Sequence, residues 1–253
     1  MRKILTLLCL QLASAAAEAP QKFAFVDYRI IPLRVHRLQS EAEPALHTTL
    51  SEADIQRVLG KVNLVWAQAG LHLTLESIVT EAAAHPELAA KNKGGELGWL
   101  LQCRPEASRQ PDCLHVYYIK QFGVNGVFLG QQSMVVKDTA RLRAVEGGLD
   151  EPLPRVTSHE IGHALGLPHR QSVTNLMASG TTGWSFNAQE IQTTRATAAK
   201  WAWTKTAPVL LKEADALFAA NKPEAAALYR KLSLLPLDCP EVRLAKSRTA
   251  TPR

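Results

Sequence analysis

The sequence predicts an α+β fold, with a mostly parallel sheet in the larger N-terminal part and a helical hairpin at the C-terminus. A strand–helix–strand unit early in the chain of 253 residues implies parallel pairing, because a helical crossover returns the second strand in the direction of the first. Near the C-terminus, two apolar stripes at helical spacing, within residues 210–218 and 225–232, flank the turn at residues 221–223.

The strand–helix–strand unit begins at residues 23–30, whose aromatic and β-branched side chains favour a strand. Residues 51–54 have the pattern of a capping box, and apolar side chains recur at helical spacing over residues 55–69. Gly70 is typical of a helix C-terminus. Leucines then alternate with polar residues over residues 71–76, which predicts a half-buried strand.

Residues 79–113 contain few periodic patterns and are expected to form loops, with a short helix near residues 96–102. Residues 114–119 predict the next strand, and residues 133–137 another. Between them, the short apolar segment 127–129 is surrounded by glycines and predicts an edge strand.

Two further helices are expected before the C-terminal hairpin. The first covers residues 150–165, with Asp150 as its cap and Gly166 as its end. The second begins near Asn187, which has Glu190 three residues later. We find no internal repeat and no long low-complexity segment.

Residues 1–19 have the pattern of a secretory signal peptide. Arg2 and Lys3 precede the apolar run at residues 4–12, and small residues follow in three overlapping cleavage patterns. A buried N-terminal helix is the alternative. Export to the periplasm or the extracellular space is therefore expected, and the later sequence has no apolar stretch long enough to be a transmembrane helix.

The net charge of +6 is mild and spread along the chain, with no run of basic residues interleaved with aromatics. Nucleic-acid binding therefore has little support. Cys103 and Cys113 enclose a short segment, and in an oxidising compartment a disulfide between them is the simplest interpretation. Cys9 lies in the signal segment, which leaves Cys239 unpaired.

Residues that suit one metal ion occur close together in the sequence. His159 and His163 are four residues apart, so on a helix both imidazoles stand on one face, with Glu160 beside them. Gly166 turns the chain and His169 offers a third imidazole. Three protein ligands leave a fourth position for water, which is typical of catalytic zinc, although copper, nickel or cobalt could occupy such a site.

This HExxHxxGxxH pattern resembles the metzincin clan of zinc peptidases, in which a methionine lies in a tight turn beneath the metal. Met177 supplies that methionine, and its short interval after His169 resembles the matrixin, or matrix metalloproteinase, branch in a secreted form of bacterial type. The resemblance implies a twisted sheet, an active-site helix and a smaller C-terminal subdomain. It places a zinc metalloprotease domain at residues 20–205. The apolar stripes at helical spacing that follow predict a helical hairpin extension at residues 206–253.

The resemblance implies a metalloendopeptidase with one Zn²⁺ per chain, in which a zinc-bound water attacks the peptide carbonyl and Glu160 accepts its proton. It also implies that an edge strand pairs with an extended substrate and that the wall after Met177 shapes a pocket. The cleft residues so implied are Val127, Phe128, Leu129, Gly130 and Trp184. Plain core packing is the alternative for residues 127–129, and for Trp184.

Other interpretations stay open. Arg170 stands where matrixins usually have Ser or Thr, and no tyrosine follows Met177 at the spacing of a fifth ligand. A metal-dependent binding protein on a protease scaffold, or a zinc amidohydrolase that acts on a non-protein amide, are alternative functions.

Cys239 could reach the zinc. The C-terminal hairpin resembles one tetratricopeptide repeat, which either packs on the catalytic domain or binds a partner. The sequence leaves the oligomeric state open.

Overall fold

The computed structural model describes residue 25, residues 27–92 and residues 97–250. Its strands form a sheet in the order β2-β1-β3-β5-β4, and β6 pairs with β1. The strands are β1 (Arg29–Gln39), β2 (Leu71–Ala82), β3 (Leu114–Ile119), β4 (Gly126–Phe128), β5 (Ser133–Lys137) and β6 (Lys205–Thr206). Strands β2, β1, β3 and β5 are mutually parallel, whereas β4 and β6 are antiparallel to their neighbours. The mostly parallel sheet is therefore confirmed.

Seven helices lie in the part of the chain that the structure describes. They are α1 (Glu52–Ala67), α2 (Glu87–Lys91), α3 (Pro152–Ala164), α4 (Ala188–Lys200), α5 (Ala207–Ala219), α6 (Glu224–Ser233) and α7 (Pro240–Ala250). Short 3-10 turns occur at Pro44–Leu46 and Gly98–Leu101. None of these helices combines the length and the apolar character that crossing a membrane requires.

The first strand differs from its prediction. β1 begins at Arg29 and runs to Gln39, so the expected segment 23–30 overlaps it by two residues. Residues 23, 24 and 26 of that segment lie outside the described residues. Pro32 argues against a strand at this position in the sequence, because proline lacks the N–H that a central strand normally donates. The signal segment 1–19 and residues 93–96 of the expected loop and helix also lie outside the described residues.

Both faces of the sheet are covered. In β3, Leu114, Val116 and Tyr118 join the largest hydrophobic cluster, which contains buried residues of α1, α3 and α4. The alternate residues Tyr117 and Ile119 join a separate cluster with the 3-10 turn Gly98–Leu101. This alternation follows from the two-residue period of a strand, and it makes β3 buried along its whole length.

Helix α3 is held against α1 at its N-terminus. Its N-cap is Glu151 rather than the expected Asp150, and no side-chain cap forms there. Asp150 instead accepts a hydrogen bond of 2.7 Å from Lys61 of α1, and Glu151 pairs with Lys61 and Arg57. The predicted start of α4 is confirmed, since Asn187 and Glu190 form a reciprocal capping box.

The C-terminal region contains the two expected helices, α5 and α6, and also α7, which the sequence did not predict. Helix α7 escaped prediction because its apolar residues are sparse: Val242 and Ala245 are its buried side chains. The three helices share a hydrophobic cluster with Ile30 of β1. Lys231 of α6 also forms an ion pair of 2.5 Å with Glu76 of β2, so these helices pack on the sheet.

The expected disulfide between Cys103 and Cys113 is not present in the structure, where both are buried free thiols, as is Cys239. The two sulfur atoms face different groups. Cys103 Sγ lies 3.7 Å from the carbonyl of His85, whereas Cys113 Sγ lies 3.6 Å from His115 Nε2. Proximity in sequence did not determine the direction of either side chain.

Candidate metal centre

Helix α3 and the turn that ends it bring three histidines together. His159 and His163 lie on α3, and Gly166 ends the helix with φ +87°, a conformation that glycine adopts without a steric penalty. The turn is closed by a hydrogen bond of 2.9 Å from the Leu167 amide to the Gly162 carbonyl. It returns the chain so that His169 faces the helix.

The three Nε2 atoms converge on one point. His163 Nε2 lies 3.1 Å from His159 Nε2 and 3.2 Å from His169 Nε2. Two nitrogens bound to the same tetrahedral zinc, at about 2.0–2.1 Å each, are about 3.3 Å apart. The observed separations match that value to within a few tenths of an ångström.

Hydrogen bonds at the other ring nitrogens determine which nitrogen is free to bind metal. His159 Nδ1 lies 2.8 Å from the Leu176 carbonyl, and His163 Nδ1 lies 2.9 Å from the Leu167 carbonyl. A carbonyl can only accept, so each Nδ1 carries the proton and each Nε2 presents a lone pair. Such partners orient metal-binding histidines and strengthen them as ligands.

The donor set fits a zinc ion. Lone pairs that face one another at 3.1 Å repel unless a cation or a proton lies between them. Burial lowers the pKa of His159 to about 3 and also lowers the pKa of His163, so protons are disfavoured. Of the described His, Cys, Asp and Glu side chains, these three histidines form the group that could hold a metal ion. Neutral imidazoles in a tetrahedral arrangement suit Zn²⁺.

Glu160 lies beside the histidines in a nearly dry position, with 4% of its surface exposed. Burial raises the pKa of its carboxyl to about 8, while a hydrogen bond from the Phe128 amide of β4 opposes that shift. A divalent cation nearby favours the carboxylate and lowers this pKa further. With the metal bound, Glu160 is therefore an ionised group with an affinity for protons.

Met177 lies against the metal-binding helix at Gly162. It is fully buried, and a Cβ atom added to Gly162 would lie 2.5 Å from Met177 Sδ. The methionine turn is anchored by Asn175, whose side-chain oxygen accepts a hydrogen bond of 2.7 Å from the Met177 amide. The thioether thus packs one residue before His163, and only glycine at position 162 permits that approach.

We expect Gly162→Ala to destabilise the protein by about 1–2 kcal/mol and to weaken zinc binding. Overpacking costs about 1–3 kcal/mol, which exceeds the gain of up to about 1 kcal/mol in helix propensity.

Met177→Leu, which conserves volume, should cost less than about 1.5 kcal/mol and keep zinc. Urea unfolding and zinc titration measure both effects.

Gly60→Ala is the matched control for Gly162→Ala. Gly60 also lies within a helix, α1, and no atom lies within 4 Å of its added Cβ. The same substitution should therefore stabilise the protein by up to about 1 kcal/mol. Equal effects at the two glycines would contradict the assigned contact with Met177.

A cavity of about 710 Å³ opens in front of the three histidines and Glu160. Two of the expected cleft residues, Val127 and Phe128, line it, and they lie on the edge strand β4. Leu129, Gly130 and Trp184 are not among the lining residues. The Trp184 indole packs on the main hydrophobic cluster and donates a hydrogen bond of 2.8 Å to the Gly147 carbonyl, so its environment is that of a packing residue.

Arg155 is a site residue that the sequence reasoning missed. It lies one turn before His159 on α3, is 2% exposed and lines the cavity. Its guanidinium donates to the carbonyls of Gly183, Asn175 and Ala178, and so links the segment 175–183, which contains Met177, to the helix. The sequence feature that could have identified Arg155 is its position on the same helical face as His159, in an otherwise apolar turn.

Arg170, the departure from the matrixin pattern, has a structural partner. Arg170 Nε donates a hydrogen bond of 2.9 Å to Glu190, which is 1% exposed. The other oxygen of Glu190 accepts from the Asn175 side chain at 2.8 Å and from the Asn187 amide at 2.9 Å. Glu190 therefore links the residue after His169, the methionine turn and the start of α4.

No protein-family model matches the chain, and the comparison with curated proteins gave no match. Among solved structures, archaemetzincin from Methanopyrus kandleri matches with 16% identity and a TM-score of 0.46, over 67% of this chain and 96% of that one. Metalloproteinase-II from Bacteroides fragilis matches with 13% identity and a TM-score of 0.38, over 70% of this chain and 55% of that one. At these values the similarity assigns neither a family nor an activity to the chain.

Proposed function

We propose that this chain is a zinc-dependent endopeptidase of the metzincin type. The observation that carries the proposal is the meeting of three imidazole Nε2 atoms and the Glu160 carboxyl in one cavity, beside an edge strand. The interval of eight residues from His169 to Met177 supports a matrixin-like member of that group.

Each residue of the site has a distinct part in hydrolysis. When bound, zinc supplies a Lewis acid that polarises a carbonyl and lowers the pKa of water toward neutrality. Glu160 accepts the proton of the attacking water on its carboxylate and then gives that proton to the leaving amine nitrogen. His159, His163 and His169 hold the metal, and the carbonyls of Leu176 and Leu167 keep two of these rings in the correct tautomer.

The outer edge of β4 is the proposed position of the substrate. β4 pairs with β5 on one side, and Val127 and Phe128 of β4 line the cavity together with Glu160. An extended peptide that pairs with this outer edge would lie along the cavity with its scissile carbonyl near the histidines. Val127 and Phe128 would then contact substrate side chains.

Digestion of denatured casein by zinc-loaded protein tests the proposal. We expect fragments whose termini come from internal bonds, loss of activity with a chelator and recovery with one equivalent of zinc. A peptide library read by mass spectrometry then gives the cleavage preference. Failure of the zinc-loaded protein to cleave any member of the library would favour the metal-dependent binding protein instead.

We also propose export of the chain by residues 1–19, on the sequence pattern alone. Expression of the full sequence in a bacterial host, followed by fractionation and N-terminal sequencing, tests it. The expected product begins within a few residues of position 20 and is found outside the cytoplasm. Recovery of an uncleaved chain from the cytoplasm alone would contradict it.

A further inference from the structure

Two arginines flank a residue that lines the active-site cavity. Leu142 is a lining residue, and its neighbours Arg141 and Arg143 are held by two others. The Asn125 side chain donates a hydrogen bond of 2.8 Å to the Arg141 carbonyl, and the Arg143 amide donates one of 2.9 Å to the Gly180 carbonyl. The structure therefore holds both arginines next to residues that line the cavity, although neither is itself a lining residue.

The side chains of Arg141 and Arg143 have no partner among the described residues. Both residues are exposed, and neither guanidinium forms an ion pair or a hydrogen bond with any residue that the structure describes. Asp138 and Glu146 are the nearest acidic residues along the chain, and neither lines the cavity. Glu146 is exposed, and the Asp138 carboxylate accepts hydrogen bonds from Thr48 and Thr49. The two positive charges at the rim are thus not neutralised within the described part of the molecule.

Inside the cavity, one arginine and one carboxylate have opposite charges. Arg155 lines it, and no described carboxylate pairs with Arg155, whose hydrogen bonds go to carbonyl groups. Its Nη1 lies 3.2 Å from His159 Nδ1, but that nitrogen donates to the Leu176 carbonyl and cannot also accept. Glu160 is the one carboxylate among the described lining residues, and it interacts electrostatically with Arg155. The positive charge without a counterpart is therefore that of Arg141 and Arg143.

We propose that the cleft selects peptides with acidic side chains close to the cleaved bond. The inference rests on the proposed peptidase function and names its substrate class. Arg141 and Arg143 attract the carboxylates of an extended substrate at the rim of the cavity. Complementary charges of this kind raise association rates and favour matching partners.

The test uses one fluorogenic peptide that the protein cleaves, made in three versions with Glu, Gln or Lys at the flanking positions. We expect kcat/KM to decrease in that order, by about three- to tenfold between Glu and Gln, as two exposed charge pairs would give. Salt at about 0.5 M should reduce the difference, because it screens exposed charges. Arg141→Gln combined with Arg143→Gln should move the Glu-to-Gln ratio toward one.

Lys222→Gln combined with Arg230→Gln is the matched control. It removes the same charge from exposed positions at the C-terminal helices and should leave the ratio unchanged. A second measurement needs no turnover: the zinc-loaded Glu160→Gln variant should bind labelled Glu peptide more tightly than Gln or Lys peptide by fluorescence anisotropy.

The outcomes separate the two proposals. Cleavage of none of the peptides would overturn the peptidase function, while the binding measurement would still decide the charge preference. Equal cleavage and equal binding of the Glu and Gln peptides would overturn the inference and leave the peptidase function intact. A ratio that changes as much in the Lys222 and Arg230 control would also overturn it, since net charge alone would then explain the preference.

Discussion

The Glu160→Gln variant is expected to fold, to bind zinc as the wild type does and to lose at least about a hundredfold in peptide hydrolysis. General-base catalysis contributes about 10²–10⁴-fold, and more is lost when the same group returns the proton to the leaving amine. Glutamine keeps the shape of the side chain but cannot accept a proton from water. Glu160 is not one of the three proposed ligands, so the metal should remain.

The comparison needs equal zinc content in the two proteins, followed by initial rates on unfolded casein and on one defined peptide. Glu151→Gln is a suitable control, because this glutamate occupies the N-cap position of α3, away from the histidines, and its side chain pairs with Lys61 and Arg57. It should retain most of the activity. Equal rates for wild type and Glu160→Gln would show that Glu160 is not the base.

The second large effect is expected at the ligands. His163→Ala combined with His169→Ala should abolish zinc retention, because a single remaining imidazole cannot hold the ion against dialysis. Wild-type protein, washed with chelator and reconstituted, should contain one zinc equivalent per chain. Inductively coupled plasma mass spectrometry of the dialysed proteins measures both quantities.

His72→Ala combined with His115→Ala is the control for the ligand variant. Both are buried histidines outside the group that could hold a metal ion. Zinc content should stay near one equivalent in any folded fraction of this control. Retention of zinc after loss of His163 and His169, or a wild-type stoichiometry near two, would mean that the metal centre has been assigned wrongly.

The metal ligands could be predicted from the sequence because their geometry is local. A helix places His159 and His163 one turn apart whatever the rest of the fold does. A single turn at Gly166 is then enough to bring His169 to the other two histidines. The capping boxes of α1 and α4 were predictable for the same reason. In each case the interacting groups are separated by only a few residues.

The residues that the sequence did not reveal depend on distant parts of the chain. Arg155 has a role only because the segment after Met177 folds back onto α3 and offers its carbonyls. Trp184 was expected in the cleft, but the course of its loop turns the indole toward Gly147. The prediction of a Cys103–Cys113 disulfide was wrong for a similar reason. The direction of each side chain depends on packing against distant residues, which a short stretch of sequence does not contain.

The course of β1 has a consequence for how the protein unfolds. This one strand contributes Ile30 to the C-terminal cluster, Ile31 and Leu33 to the largest cluster, and Leu38 to the cluster on the opposite face. Loss of β1 would expose all three clusters at once, so they should melt in a single cooperative transition. The C-terminal helices would then behave in calorimetry as part of one folding unit. Cleavage of the chain near residue 206 would weaken the packing of β1, and therefore also destabilise the part of the fold that contains the metal site.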